Sequence, residues 1–291
     1  VSRIDYSNDT ATAASKGALN YDRRDIFATG NSSFGYFGGG YAPTSPSRSS
    51  FVSRVDYSND TPTTAAKGNL SIGRVGGAAT GNNSFGYFIG GEGSPGAVLS
   101  SVDRIDYSDD TSTSLTKGSV SVPNIEHSAV GNSNFGYMLG GHAHPNFYSK
   151  VDRIDYSNDT AAATPKGPLS AIRYLHAATG TADYGYVGGG RTPAPGFASD
   201  TERIDYSNDT ATAVVKGVLN YDSIRLGATG SGSFGYWAGG TGLDYPAPSG
   251  VSRLDFSNDT ATASPKGTLV ADSYGLAGMS PLANGLPQTT T

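Results

Sequence analysis

The sequence predicts an all-β fold, a six-bladed β-propeller of four-stranded antiparallel blades closed by strands from both termini. Three observations carry this reading. The phrase Arg-[Ile/Val/Leu]-Asp-[Tyr/Phe]-Ser-[Asn/Asp]-Asp-Thr begins at Arg3, Arg54, Arg104, Arg153, Arg203 and Arg253, and a period of that length marks stacked or circular supersecondary units. Each unit holds four short β-prone runs closed by Gly, Asn or Asp. No stretch keeps apolar residues at helical spacing, while the 41 glycines in 291 residues are about twice the usual usage of roughly 7%.

The fourth repeat shows the elements in order. Run a is His176-Ala-Ala-Thr-Gly180, run b Tyr184-Gly-Tyr-Val-Gly-Gly-Gly190, run c Arg203-Ile-Asp-Tyr-Ser207 and run d Thr210-Ala-Thr-Ala-Val-Val-Lys216-Gly217. Gly-Thr-Ala-Asp separates a from b (Asn-Ser-Ser or Asn-Asn-Ser in other repeats) and Asn-Asp separates c from d, lengths that suit tight hairpins. The unit is therefore expected to be a four-stranded meander.

A lone meander has two apolar faces and two open edges, and radial packing of several around an axis covers the faces and hides most edges. The repeat spans residues 1–291 almost end to end, so a single domain is expected. The chain opens on run c of one unit and ends with Tyr274-Gly-Leu-Ala-Gly278, which aligns with run a. The last blade should thus combine both termini. After Gly278, however, Met279-Ser-Pro-Leu-Ala-Asn-Gly-Leu-Pro287 stands where an aromatic, glycine-rich run b belongs, so that blade is expected to be degenerate or finished by another segment.

A glycine pair after an aromatic strand (Phe34-Gly-Tyr-Phe-Gly-Gly-Gly40, Tyr236-Trp-Ala-Gly-Gly240), then a variable loop and a Val-x-Arg-Ile-Asp-Tyr strand, resembles the kelch repeat over nearly the whole chain. The order Asp-Tyr and the alanine or threonine in strand d, where kelch repeats carry Tyr-Asp and a tryptophan, make this kelch-like. The wording Asp-Tyr-Ser-Asn-Asp-Thr with Phe-Gly-Tyr-Phe-Gly-Gly is similar to repeats in virion and tail-associated proteins of marine and cyanobacterial phages. That resemblance implies a structural or adhesive module with an extracellular or virion-associated location.

Composition narrows the function classes. A net charge of -5 and a pI near 5.3 argue against a nucleic-acid partner, which needs a basic stripe. No segment approaches the roughly 20 apolar residues of a membrane span, so no membrane insertion is expected. The absence of cysteine removes disulfides and thiolate chemistry together. No cofactor is expected. Val1 enters the repeat without an initiator methionine, as a processed or excised chain would.

The six anchor arginines, the Asp two positions after each, six turn aspartates (Asp9, Asp60, Asp110, Asp159, Asp209, Asp259) and six lysines before glycine (Lys16, Lys67, Lys117, Lys166, Lys216, Lys266) make 24 of the 45 charged residues. Residues needed once for chemistry have no reason to recur six times, so these read as structural, with Arg and Asp at i and i+2 able to pair within or between blades. Calcium at the Asp-rich turns would need more converging oxygens than a two-residue hairpin presents. The turns match a glycosylation sequon except where Asp109 replaces asparagine, but turn propensity explains the wording without a glycan.

Variation between repeats falls in the b-to-c and d-to-a connections, which emerge on one face of a meander ring. The b-to-c loops there contribute Tyr41, His142, His144, Phe147, Tyr148, Arg191, Asp244 and Tyr245. The d-to-a segments contribute Tyr21, Arg24, Arg173, Tyr174, His176, Tyr221 and Arg225. Loops on a rigid scaffold are where recognition is built, and these residue types stack on and hydrogen-bond to sugars or dock proteins. His142 and His144 could contribute to a metal site only with a third ligand that the sequence does not name. Trp237 takes the strand-b position held by Phe37, Ile89 or Val187 and is expected to pack between blades.

The expectation is a non-enzymatic binding or structural module of the phage-tail or virion adhesin type. Its partner would be a surface glycan or protein receptor, with other virion proteins as further partners, met through the variable loops. The alternatives are a polysaccharide-acting propeller enzyme, whose acids would have to face each other at the central mouth, and a purely structural assembly module.

Overall fold

The structure is a computed structural model that describes residues 1–43, 47–193, 196–242 and 249–280. Its described elements are β-strands and short 3-10 turns. Five four-stranded antiparallel sheets follow one another along the chain, each in the order a-b-c-d. Blade 1 is Phe27–Gly30, Phe34–Gly38, Val52–Asp56 and Ala65–Lys67. Blade 2 is Ala78–Gly81, Phe85–Ile89, Ser101–Asp106 and Leu115–Ser119. Blade 3 is Ser128–Gly131, Phe135–Leu139, Val151–Asp155 and Thr164–Lys166. Blade 4 is Ala177–Gly180, Tyr184–Gly188, Asp200–Asp205 and Val214–Val218. Blade 5 is Gly227–Gly230, Phe234–Ala238, Gly250–Asp255 and Ser264–Thr268. Strands a line the axis and pack on one another from blade to blade.

The propeller therefore has five blades, not the expected six. Between blades 5 and 1 lies a two-stranded sheet of Ser2–Arg3 and Ala14–Ser15, the c and d strands of the first repeat. Residues 275–280 run beside strand a of blade 5, where the Met279 carbonyl accepts a 2.9 Å hydrogen bond from Thr229 Oγ1. They form no strand. The reason is local: the aromatic-Gly-Tyr run that makes strand b elsewhere does not follow Gly278.

Strand b explains where the core sits. In Phe34–Gly38 every residue after the first is buried, and the same pattern holds in all five blades. A strand with blades on both sides buries both faces, so its apolar residues fill clusters between consecutive blades, such as Tyr87 and Ile89 against Met138, Ile154 and Tyr156. Trp237 is fully buried and its Nε1 donates to the Ala177 carbonyl of blade 4 at 3.1 Å, the inter-blade packing its position implied.

The constant charged residues form joints between blades. The turn carboxylate Asp110 of blade 2 receives Tyr36 Oη at 2.9 Å, Arg54 at 2.7 Å and Lys67 at 2.9 Å, one residue each from strands b, c and d of blade 1. The same tetrad recurs at Asp159, Asp209, Asp259 and Asp9. Burial alone would raise the Asp110 carboxyl, but Lys67, Tyr36 and Arg54 outweigh it and hold the group below the usual carboxylate range. The anchor arginine thus pairs across blades with the turn Asp, not with the Asp two positions later. That second Asp accepts from the following serine, as Asp106 Oδ1 does from Ser108 N at 2.9 Å.

Two local details differ from the expected hairpins. The c-to-d connection is longer than a two-residue loop: in blade 4 it runs over residues 206–213 and opens on the 3-10 turn Tyr206–Asn208, a turn that blades 2, 3 and 5 share. The glycine after each constant lysine is required by close approach: a Cβ on Gly118 would stand 1.9 Å from the Ala161 carbonyl oxygen of the next blade. The corresponding distances at Gly17, Gly68, Gly167, Gly217 and Gly267 lie between 1.7 and 2.0 Å.

Candidate functional site

The residue just ahead of strand a, at Asp25, Gly76, Glu126, Leu175, Arg225 and Gly275, has positive φ in every repeat, with values of 52° to 67°. Asp25, Glu126, Leu175 and Arg225 are also the four non-glycine residues with positive φ among those described. Each amide in this set, save that of Gly76, donates to the carbonyl of its counterpart in the neighbouring repeat. Examples are Glu126 N to Gly76 O at 2.6 Å, Leu175 N to Glu126 O at 2.8 Å and Arg225 N to Leu175 O at 2.9 Å. A left-handed backbone costs an ordinary residue about 1–2 kcal/mol, and such strain gathers where structure imposes it for a purpose.

These residues rim a cavity of about 290 Å³ on the face of the b-to-c and d-to-a connections. Its charged wall is Arg24, Asp25, Glu92, Glu126 and Arg225, above the imidazoles of His127 and His176. Every rim carboxylate has a cation: Asp25 has Arg24 at 3.5 Å, Glu92 has Arg48, and Glu126 has Arg225 at 3.8 Å, with a further hydrogen bond to His142 Nε2 at 2.9 Å. The two imidazoles below are buried, which pushes His127 down to about 4 and His176 well below its ordinary value, so both are neutral at pH 7.

Beside the cavity, His142 joins Phe147 and Tyr174 in an aromatic group with ring centroids 5.0–5.3 Å apart. Glu126 belongs to both the rim and this group through its bond to His142. Phe147 is 36% exposed. A short hairpin pairing His142 with Phe147 holds the two rings on one side. Across the rim, Arg24 lies 4.7 Å from the Tyr41 ring centroid, and Tyr21 stacks on Phe51 at 4.2 Å.

No protein-family model matches the chain, and no curated protein sequence matches it. The propeller architecture therefore stands on the structure, and the kelch-like and phage-like wording stands on sequence alone.

The expected site residues divide into distinct groups. Arg24, Tyr41, His142, Phe147, Tyr174 and Arg225 come together around the rim and its aromatic flank. Arg191 and His144 are exposed nearby, the former through the Tyr174–Arg191 bridge. Tyr148 is half-buried, its amide bonded to Gly141 O.

Arg173 and His176 are not surface residues, contrary to expectation. Arg173 is 1% exposed, its guanidinium donating to the Gly189 carbonyl at 2.7 Å and pairing with Glu202 at 3.0 Å and with Asp200. The physical reason is the carbonyl at the end of strand b, which needs a donor. Arg23, Arg74, Asn124 and Ser223 supply it in other repeats. Tyr221 is likewise engaged inward, donating to Gly250 O at 2.8 Å. Asp244 and Tyr245 lie outside the described residues.

Asp25, Glu92 and Glu126 were not among the expected site residues. The available signal was positional: the residue three before the constant alanine of run a differs in charge from repeat to repeat, as Asp25, Gly76, Glu126, Leu175 and Arg225 show.

Proposed function

We propose that the protein is a non-enzymatic recognition module that binds a surface glycan at the axial cavity and its aromatic flank. The observation carrying this is that all four non-glycine residues with positive φ among those described surround one cavity. The strain is placed where differing side chains converge. The rim offers charged hydrogen-bonding groups of both signs, while Phe147 and Tyr174 offer flat apolar surfaces suited to pyranose faces. A cavity near 300 Å³ suits one or two sugar rings, with the flank extending the contact.

The enzymatic alternative has less support. Asp25, Glu92 and Glu126 do line the same cavity, but each is matched with a cation, an arrangement that favours fixed ion pairs over a carboxyl poised to give up its proton. An adhesin-type role in a phage tail or virion, and the extracellular or virion-associated location it entails, belong to the same proposal and are supported by the repeat wording.

A glycan-array screen of the purified protein tests the reading, with Phe147→Ala and Glu126→Gln alongside. The expected result is selective binding to one glycan class that both variants weaken tenfold or more. Selective binding unchanged in both variants would move the site elsewhere. No glycan bound by the parent protein would overturn the reading.

A further inference from the structure

The five complete joints share more than the carboxylate tetrad. In each, the strand-b tyrosine stacks on the strand-c aromatic of the next repeat: Tyr36 on Tyr107, Tyr87 on Tyr156, Tyr137 on Tyr206, Tyr186 on Phe256 and Tyr236 on Tyr6, at 4.6–4.9 Å. In each, the aromatic residue two before that tyrosine lies under the anchor arginine, 4.1–4.5 Å from its guanidinium carbon. One strand with the pattern aromatic-Gly-Tyr thus makes three contacts at once.

The sixth joint lacks all three among the described residues. Asp60 has Arg3 at 2.8 Å and Lys16 at 3.0 Å but no phenol. The Arg3 side chain is 55% exposed, against 18–27% for the other five anchor arginines, and it lies over no ring. Tyr57, the strand-c aromatic of blade 1, has no stacking partner among the described residues. The three vacancies surround one place: the position of strand b between the Ser2–Arg3 strand and residues 275–280. Among the described residues the Ser2–Arg3 strand pairs with Ala14–Ser15 on one side only.

We propose that this place is a strand-acceptor site for a partner polypeptide segment carrying aromatic-Gly-Tyr, added by β-augmentation. The register follows from blade 1, where Tyr36 stands opposite Arg54, Gly35 opposite Val55 and Phe34 opposite Asp56. The donor tyrosine lies opposite Arg3, its glycine opposite Ile4 and its leading aromatic opposite Asp5. The tyrosine stacks on Tyr57 and donates to Asp60, and the leading aromatic covers Arg3. The donor is not supplied from within this sequence. The five aromatic-Gly-Tyr motifs at Phe34, Phe85, Phe135, Tyr184 and Phe234 already form strand b of their own blades, and residues 281–291 contain no aromatic residue.

The test uses a fluorescein-labelled peptide copying residues 83–91, Asn-Ser-Phe-Gly-Tyr-Phe-Ile-Gly-Gly, with a lysine tail for solubility, titrated against the whole protein by anisotropy. Saturable binding is expected. A peptide with phenylalanine for its tyrosine should bind at least tenfold more weakly, and one with valine for its first glycine should not bind: a Cβ on the equivalent Gly86 would stand 2.7 Å from both Thr29 Cγ2 and Tyr107 Oη, whose counterparts here are Thr229 and Tyr6. Asp60→Asn should weaken the parent peptide but remove the difference between tyrosine and phenylalanine peptides, since the two changes delete one interaction. The peptide series on unmodified protein stands even if Asp60→Asn fails to fold. Absence of saturable binding, or equal affinity of the tyrosine and phenylalanine peptides, would overturn the proposal.

Discussion

Tyr236 Oη donates a 2.9 Å hydrogen bond to the Asp9 carboxylate across 227 residues of sequence, fastening the last complete blade to the start of the chain. Arg253 and Lys266 reach the same carboxylate at 2.7 and 3.4 Å. The amide of Gly267 meanwhile donates to the Asp9 carbonyl at 2.8 Å. The ring is held at this joint by side chains and backbone from both ends of the described chain.

Removing the phenol should loosen that joint. Tyr236→Phe is expected to destabilise the protein by about 1.5–3 kcal/mol, the range for a hydrogen bond to a charged group. Urea denaturation measures it. A midpoint shift equivalent to less than about 0.5 kcal/mol would show that the tetrad contributes little beyond its ion pairs.

A second prediction concerns the lysine-glycine step. Gly118→Ala places a methyl 1.9 Å from the Ala161 carbonyl oxygen, and backbone atoms on both sides leave no flexible side chain to yield. The expected loss is about 3 kcal/mol, the upper part of the usual overpacking range. Thermal unfolding of the variant checks it, and a melting temperature equal to that of the parent would show that the blades can part at no cost.

Acid should weaken the fold before the carboxylates titrate. Burial holds His127 at about 4 in the folded state against about 6.5 for an ordinary imidazole, so between those values the unfolded chain binds a proton that the folded one does not. The contribution is complete above pH 6.5 and is lost as the pH falls toward 4; for His127 alone it amounts to about 3 kcal/mol. His176 acts in the same direction. Ile26, Leu226 and Leu276 occupy the equivalent place in other repeats, so His127→Leu should fold and show a flatter stability profile between pH 7 and 4. An unchanged profile would assign the acid sensitivity to other groups.

The strained rim predicts a trade of stability against binding. Arg225 has φ of 58°, and Arg225→Gly relieves that conformation at the expense of a weak 3.8 Å pair with Glu126. A gain of about 1 kcal/mol is expected, together with loss of glycan binding. Differential scanning calorimetry and the array read the two effects separately. A variant that is less stable than the parent would mean that the backbone is not strained there.

Much of the architecture was legible because repetition exposes constraint. The constant Arg, Asp and Lys announced structural charge, and Trp237 announced packing by standing where Phe37 and Ile89 stand. The Asp110 tetrad was only partly visible: nothing in the spacing of Arg54 and Asp56 says that the arginine prefers a carboxylate 56 residues away. The blade number was misread because six anchors count strand c, whereas a blade also needs strand b, and Met279 shows that one was missing. Arg173 looked like a surface arginine in a variable segment, yet the burial of the Gly189 carbonyl draws it inward. Glu126 and its counterparts escaped notice because positive φ is a backbone property that a polar loop residue does not advertise.

Each joint is wired from three residues of one repeat to one residue of the next, in the same way at Asp110, Asp159, Asp209, Asp259 and Asp9. Any unit cut at the same phase therefore presents compatible ends to any other. An in-frame gain or loss of one repeat would leave every junction chemically intact, and copy number would be limited by how tightly the ring can curve. Such wiring lets recombination shuffle the variable loops like cards while the frame that displays them stays unchanged.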